Sequence, residues 1–79
     1  MKKSLLKTED LKSKEILKSN LKNLRRKFGY TQQEIADYLL INRTTYTKYE
    51  TGVALPSIFI LRDLAKLYNV NINNLIEWG

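Results

Sequence analysis

"TQQEIADYLLINRTTYTKYETG" runs from Thr31 to Gly52, and its reading decides the fold. Thr31-Gln32-Gln33-Glu34 has the spacing of a capping box. The Thr31 hydroxyl can take an orphan N–H of a first helical turn, and Glu34 can reach back to the cap's own N–H. Tyr30 and Ile35 sit at the flanking staple positions. Ile35, Ala36 and Leu39 then give a short helix its apolar stripe. Leu40-Ile41 leads to Asn42, a good N-cap residue. A second helix is therefore predicted from about Arg43 to Thr51, stopped by Gly52. Tyr46 and Tyr49, three apart on one face, are expected in the core. The polar positions are the unusual part. Thr and Asn are poor helix-interior residues, yet Thr44, Thr45 and Thr47 stand where Glu, Lys and Ala are usual. Uncharged hydrogen-bonding groups in such places suggest that another molecule reads them.

Outward from this stretch the signals stay helical. Leu17, Leu21, Leu24 and Phe28 step by 4, 3 and 4, one helix face, and Gly29 is a left-handed stop. Downstream, Val53 to Pro56 reads as a loop. Ser57 is expected to cap a helix over Ile58 to Tyr68, with Leu61, Leu64, Ala65 and Tyr68 inward. Asn71 caps a last helix running to about Trp78, with Val70 and Leu75 as its staple pair. The expected architecture is all-α, with five helices. Residues 16–79 form the domain and residues 1–15 a basic extension. Thr8, Glu9 and Asp10 look like a helix start with acids at the positive dipole end, and Leu11 and Ile16 offer a weak apolar face. That extension reads as a short separate helix, a rigid continuation of the first, or a flexible arm, with Met1 to Lys7 frayed.

Composition narrows the function. Seventy-nine residues allow one small domain. There is no cysteine and no histidine, so no disulfide framework, no thiolate or imidazole metal site and no histidine base. No Gly-rich phosphate loop is present, and Glu34, Asp37 and Glu50 are spread along helices, so an enzyme is not expected. No apolar run approaches the ~20 residues of a membrane span, and the N-terminus lacks a signal-peptide core. A cytoplasmic protein without cofactor or metal is expected. The net charge of +6 favours nucleic acid or another anionic surface. Its distribution tempers that reading. Residues 1–27 carry ten Lys/Arg against three Asp/Glu, whereas residues 28–79 carry four against five. Charge by itself does not mark residues 31–52 as a DNA reader, and Lys22, Arg26 and Lys27 also fit a solvated face.

A capped helix, a short turn and a second capped helix form the helix-turn-helix pattern. The landmarks "LRRKFGYTQQEIA", "INRTTYTKYETG", "LPS" and "LRDLAKLYNVNINNL" occur in that order. With them the chain resembles the lambda-repressor-like (Cro/repressor, XRE-type) helix-turn-helix family over about Ile16 to Trp78. The resemblance implies a five-helix fold whose second motif helix lies in the DNA major groove while the helix before it straddles the backbone. It further implies base reading by Arg43, Thr44 and Lys48. Backbone contacts are implied for Thr31, Gln32, Asn42, Thr47 and Thr51. Gln33 would brace the start of the recognition helix, and Arg25 with Glu50 would form a partly buried structural ion pair.

Leu40 departs from the family, which usually has glycine there. Either the turn is remodelled or the cost of a left-handed leucine is absorbed. Ile58 to Leu61 are four consecutive apolar residues, more than one stripe can bury. Either the core wraps them, or Ile58 or Phe59, with Ile76 and Trp78, forms a dimer patch. Family members commonly bind palindromic operators as dimers, and a weak homodimer strengthened on double-stranded DNA is expected. Many also carry a separate C-terminal domain, and none is expected in these 79 residues. The expected function is that of a sequence-specific transcriptional regulator, a repressor of phage or mobile-element type. The alternative is an antitoxin or another protein-interaction module on the same fold, with residues 1–16 and 58–60 as candidate docking faces.

Overall fold

The computed structural model describes residues 8–77, with side chains from Lys12 onward. Five helices follow one another: α1 Thr8–Phe28, α2 Gln32–Leu39, α3 Arg43–Thr51, α4 Ile58–Tyr68 and α5 Ile72–Ile76. No strand occurs among the described residues. Each internal helix starts at the residue whose side chain the sequence marks for it. Thr31 Oγ1 accepts from the Glu34 N–H at 3.0 Å, and Glu34 Oε1 accepts from the Thr31 N–H at 2.8 Å. Asn42 Oδ1 accepts from the Thr45 N–H at 2.8 Å. Ser57 Oγ accepts from the Ile60 N–H at 3.2 Å. At α5 the Asn71 N–H donates to Asn74 Oδ1 at 3.1 Å.

The stops are also shared. After α1, α2 and α4 a left-handed residue (Gly29, Leu40, Asn69) bonds back three residues, and the next residue bonds back five. This is the Schellman pattern. The residues after the stop, Tyr30, Ile41 and Val70, are apolar and pack against the core, which turns each chain reversal inward. Leu40 keeps φ 60° and ψ 39°, so the motif turn is preserved and the leucine absorbs the cost. Its side chain is 92% exposed, so nothing in the fold uses it.

All five helices contribute to one core: Leu17 and Leu21; Ile35, Ala36 and Leu39; Tyr46; Leu64, Ala65 and Tyr68; and Leu75. Tyr49 is partly buried and meets Tyr46 edge-on at 6.2 Å. α1 is unbroken from Thr8, so residues 8–15 continue the first helix, one of the three alternatives the sequence left open. Ile16 is buried there, while residues 1–7 and the Leu11 side chain lie outside the described residues. Two other details differ from the sequence reading. Phe28 is not an inward residue. It is 45% exposed and lies edge-on to Tyr68 with ring centres 5.0 Å apart, because it ends the helix just as the chain turns away. α5 stops at Ile76, with Glu77 extended. Asn20 Nδ2 on α1 donates to the carbonyls of Asn74, Leu75 and Glu77 at 3.2, 3.0 and 3.4 Å. These groups have no partner inside a helix end, so α1 caps α5 from the side.

Candidate nucleic-acid interface

α2 and α3 are joined by a three-residue turn, Leu40 to Asn42, and are held as one unit against α1. The centre of that unit is Glu50. Its side chain is 1% exposed, and an isolated buried carboxylate would be costly. Four donors satisfy it. Arg25 grips it with two parallel bonds, Nε to Oε2 at 2.6 Å and Nη2 to Oε1 at 3.0 Å. The Tyr46 hydroxyl, one turn earlier on α3, donates to Oε2. Gln32 Nε2, from α2, donates to Oε1 at 3.1 Å. Burial acts to raise the Glu50 pKa, but the bonds from Arg25, Tyr46 and Gln32 and the Arg25 charge outweigh it. The carboxyl is held below its usual range. The bond to Glu50 correspondingly raises Arg25, and burial raises the Tyr46 phenol. Arg25 Nη1 also donates to the Tyr30 carbonyl at 3.1 Å, tying the start of α2 to the same cluster.

The network continues to α3 through Gln32, whose Oε1 accepts from the Thr47 hydroxyl at 3.0 Å. This corrects one expectation. Gln33 does not brace α3 by a hydrogen bond. It lines an open groove together with Arg25, Tyr30, Thr31, Gln32 and Arg43, but its Nε2 donates to Asp37 Oδ1 on its own helix at 2.8 Å. The bracing passes to Gln32, one position earlier. Adjacent helix positions point about 100° apart, so Gln32 turns onto Thr47 and Glu50 while Gln33 lies along the groove beside Arg43 at the start of α3. Thr47 is likewise half-buried with its hydroxyl turned inward. Arg43, Thr44 and Lys48 are exposed, and so are Thr31, Asn42 and Thr51. Thr44 and Lys48, four apart, share a face of α3 and Arg43 flanks it. Asn42 spends one oxygen on its cap, and Thr51 donates to the Lys48 carbonyl at 3.3 Å.

The residues named for a dimer patch divide. Ile58 and Phe59 are 58% and 64% exposed, while Ile60 and Leu61 pack on the core. Ile76 is half-buried and lines a second, apolar groove with Leu17, Leu55, Pro56 and Leu61. Trp78 lies outside the described residues. The Arg62 guanidinium sits over the Phe59 ring, 5.6 Å from its centre. Val53 and Leu55 add exposed apolar surface to the loop before α4.

The sequence reading missed the full extent of the Glu50 cluster. It identified the Arg25–Glu50 pair but assigned Tyr46 to packing alone and Gln32 to DNA alone. A signal was available. A buried carboxylate has lone pairs beyond those that one arginine fills, and Tyr46 stands four residues before Glu50 on one helix face.

Two capped helices around a tight turn, locked by a buried ion pair and presenting an exposed polar helix start, define a helix-turn-helix domain. A family model described as "Helix-turn-helix" matches residues 21–75, well over half of the chain. The chain belongs to the lambda-repressor-like (Cro/repressor, XRE-type) helix-turn-helix family. It is 40% identical over 57 residues to the SPbeta prophage-derived uncharacterized HTH-type transcriptional regulator YonR of Bacillus subtilis, covering 72% of this chain and 53% of that protein. It is 36% identical over 59 residues to the cryptic phage CTXphi transcriptional repressor RstR of Vibrio cholerae, covering 75% and 53%. Among solved structures, the SOS-response transcriptional repressor LexA of Eubacterium rectale superposes with a TM-score of 0.78 at 33% identity, over 84% of this chain and 70% of that one. The chain spans about half the length of these two curated relatives. No helix of the described residues is long and apolar enough to cross a membrane.

Proposed function

We propose that this chain is a sequence-specific, double-stranded-DNA-binding transcriptional regulator, a repressor of phage or mobile-element type. One observation carries the proposal: α3 is tied through buried Glu50 to α1 and α2 while Arg43, Thr44 and Lys48 remain exposed on it. In this reading α3 enters the major groove. Arg43 and Lys48 donate to guanine O6 and N7, and the Thr44 methyl meets a thymine methyl. Thr31, Gln32, Asn42 and Thr51 contact the sugar-phosphate backbone and set the register. Repression then needs no chemistry and no cofactor, because a protein seated on its operator blocks polymerase. The names of the relatives support the assignment: RstR is a phage repressor and YonR is prophage-derived.

The proposal includes a weak homodimer, strengthened on DNA, with exposed Ile58 and Phe59 and half-buried Ile76 in its contact. Its two recognition helices would meet half-sites about 34 Å apart. The test is selection of random duplex DNA by the purified protein at about 0.15 M salt, where surface charge is partly screened. The expected outcome is an enriched palindrome. Binding that enriches nothing and vanishes as salt rises would overturn the DNA reading. Sedimentation of a strict monomer on the full palindrome would overturn the dimer. The exposed apolar loop and α4 start also suit a protein partner, as in an antitoxin. Co-purification of a protein encoded beside this one, with no duplex selected, favours that alternative.

A further inference from the structure

Thr47 stands in the middle of α3, where the family resemblance implies a DNA-backbone contact. Its one hydroxyl proton is already committed, because Oγ1 donates to Gln32 Oε1 at 3.0 Å. The reason Gln32 presents its oxygen there lies at the other end of the amide. Glu50 is a buried carboxylate held in its charged form, and a carboxylate only accepts. It can face only the nitrogen end of Gln32, which donates to it at 3.1 Å. The buried charge thereby fixes the sense of the amide, and the oxygen is left for α3. An amide nitrogen carries two protons. One goes to Glu50, and the second finds no protein acceptor among the described residues. Gln32 opens α2 beside exposed Thr31, on the groove that also holds Gln33 and Arg43.

We infer that Thr47 is a positioning residue for DNA recognition: it acts through Gln32, holding that second Nε2–H toward the DNA backbone, and is not itself a phosphate ligand. This role rests on the DNA-binding reading above. One hydroxyl proton cannot serve both Gln32 and a phosphate oxygen. With the hydroxyl gone, the Gln32 amide keeps only its bond to Glu50. The terminal amide torsion is intrinsically broad, so the amide turns and the phosphate-facing proton loses its direction. The Arg25–Glu50 pair is then linked to the DNA backbone through one side chain, Gln32, which Thr47 anchors from α3.

The test is a double-mutant cycle on the duplex recovered by selection. Thr47→Val removes the hydroxyl and keeps the branched shape; Gln32→Met removes the amide and keeps an unbranched chain. Thr47→Val is expected to weaken binding about fivefold, the scale of one hydrogen bond, and Thr47→Ser is expected to restore it. In the Gln32→Met background Thr47→Val should cost nothing more, because the two residues act as a unit. Additive losses would mean that Thr47 meets phosphate directly and would overturn the inference. Wild-type affinity in Thr47→Val would do the same. The geometric half is read without DNA, from the Gln32 side-chain amide in ¹⁵N spectra. Thr47→Val should shift it while the backbone spectrum elsewhere is retained. An unchanged Gln32 signal in Thr47→Val, in a protein that does select a duplex, overturns the positioning role alone. If the wild type selects no duplex, the DNA reading fails and this role falls with it.

Discussion

Between α2 and α3 the contact runs through side-chain hydrogen bonds: Gln32 to Glu50, Thr47 to Gln32, and the Arg25 fork beneath them. Between α4 and the rest of the core it runs through Leu64, Ala65 and Tyr68, packed with Leu75. The contrast follows from what each helix must present. The fully buried residues of α3 are only Tyr46 and Glu50, because most of its surface is polar and turned outward. With little apolar area to anchor it, its rotation is set by directional bonds to a buried charge. α4 has apolar area in excess, so burial holds it, and burial is non-directional. The two tyrosines show the same difference. The Tyr46 hydroxyl donates to Glu50, while the Tyr68 hydroxyl is buried without a partner among the described residues, and burial raises its pKa.

The largest expected effect breaks the polar side of this comparison. Glu50→Ala should cost about 3–5 kcal/mol in urea unfolding, because it strands the Arg25 charge in a mostly buried site. The same carboxylate sets an acid limit. Its folded pKa lies below the ordinary 4.5, so its contribution is fully present above about pH 4.5 and is lost as the pH falls through the folded value. Stability measured against pH should therefore fall less steeply below that point in Glu50→Gln than in the wild type. A parallel fall in both proteins would mean that the pair contributes no linkage.

Next come the two tyrosines. Tyr46→Phe should destabilise by about 1.5–3 kcal/mol, the range for a bond to a charged group. Tyr68→Phe removes only an unsatisfied hydroxyl and should be neutral or stabilising by about 1 kcal/mol. Equal losses in thermal unfolding would erase the distinction drawn here between the two halves. On DNA, Lys48→Ala should relax specificity at one base position by about 1–3 kcal/mol, whereas Lys22→Ala should lower affinity evenly across sequences and reduce the salt slope. Equal, sequence-independent losses would move Lys48 away from the bases. The smallest effect concerns the turn that joins α2 to α3. Leu40→Gly should stabilise by up to about 1 kcal/mol, since leucine is strained at φ 60° and its exposed side chain contributes no packing. A loss of stability there would mean that the leucine makes contacts this fold does not contain.

Much of this molecule is legible before any coordinates. The caps at Thr31, Asn42 and Ser57, the stop at Gly29 and the apolar steps of α2 and α4 rest on interactions within about five residues, so a linear reading recovers them. The Arg25–Glu50 pair was legible too, through the family pattern. Other features were not, and all depend on what lies across the fold. Which of two adjacent glutamines hydrogen-bonds to α3 depends on the angle between two helices. Whether Phe28 is covered depends on where α4 passes the end of α1. The cap that Asn20 supplies to α5 spans more than fifty positions in the chain. Leu40 belongs to both levels: the sequence marks it as a misfit, and only the fold decides between remodelling the turn and bearing the strain. The sequence by itself determined the five helices, their order and the exposed polar start of α3, because capping and periodicity are local. Only the tertiary structure decided how α3 is held and which polar groups remain available to DNA, because a buried charge recruits its donors from whichever helices the packing brings within hydrogen-bond reach.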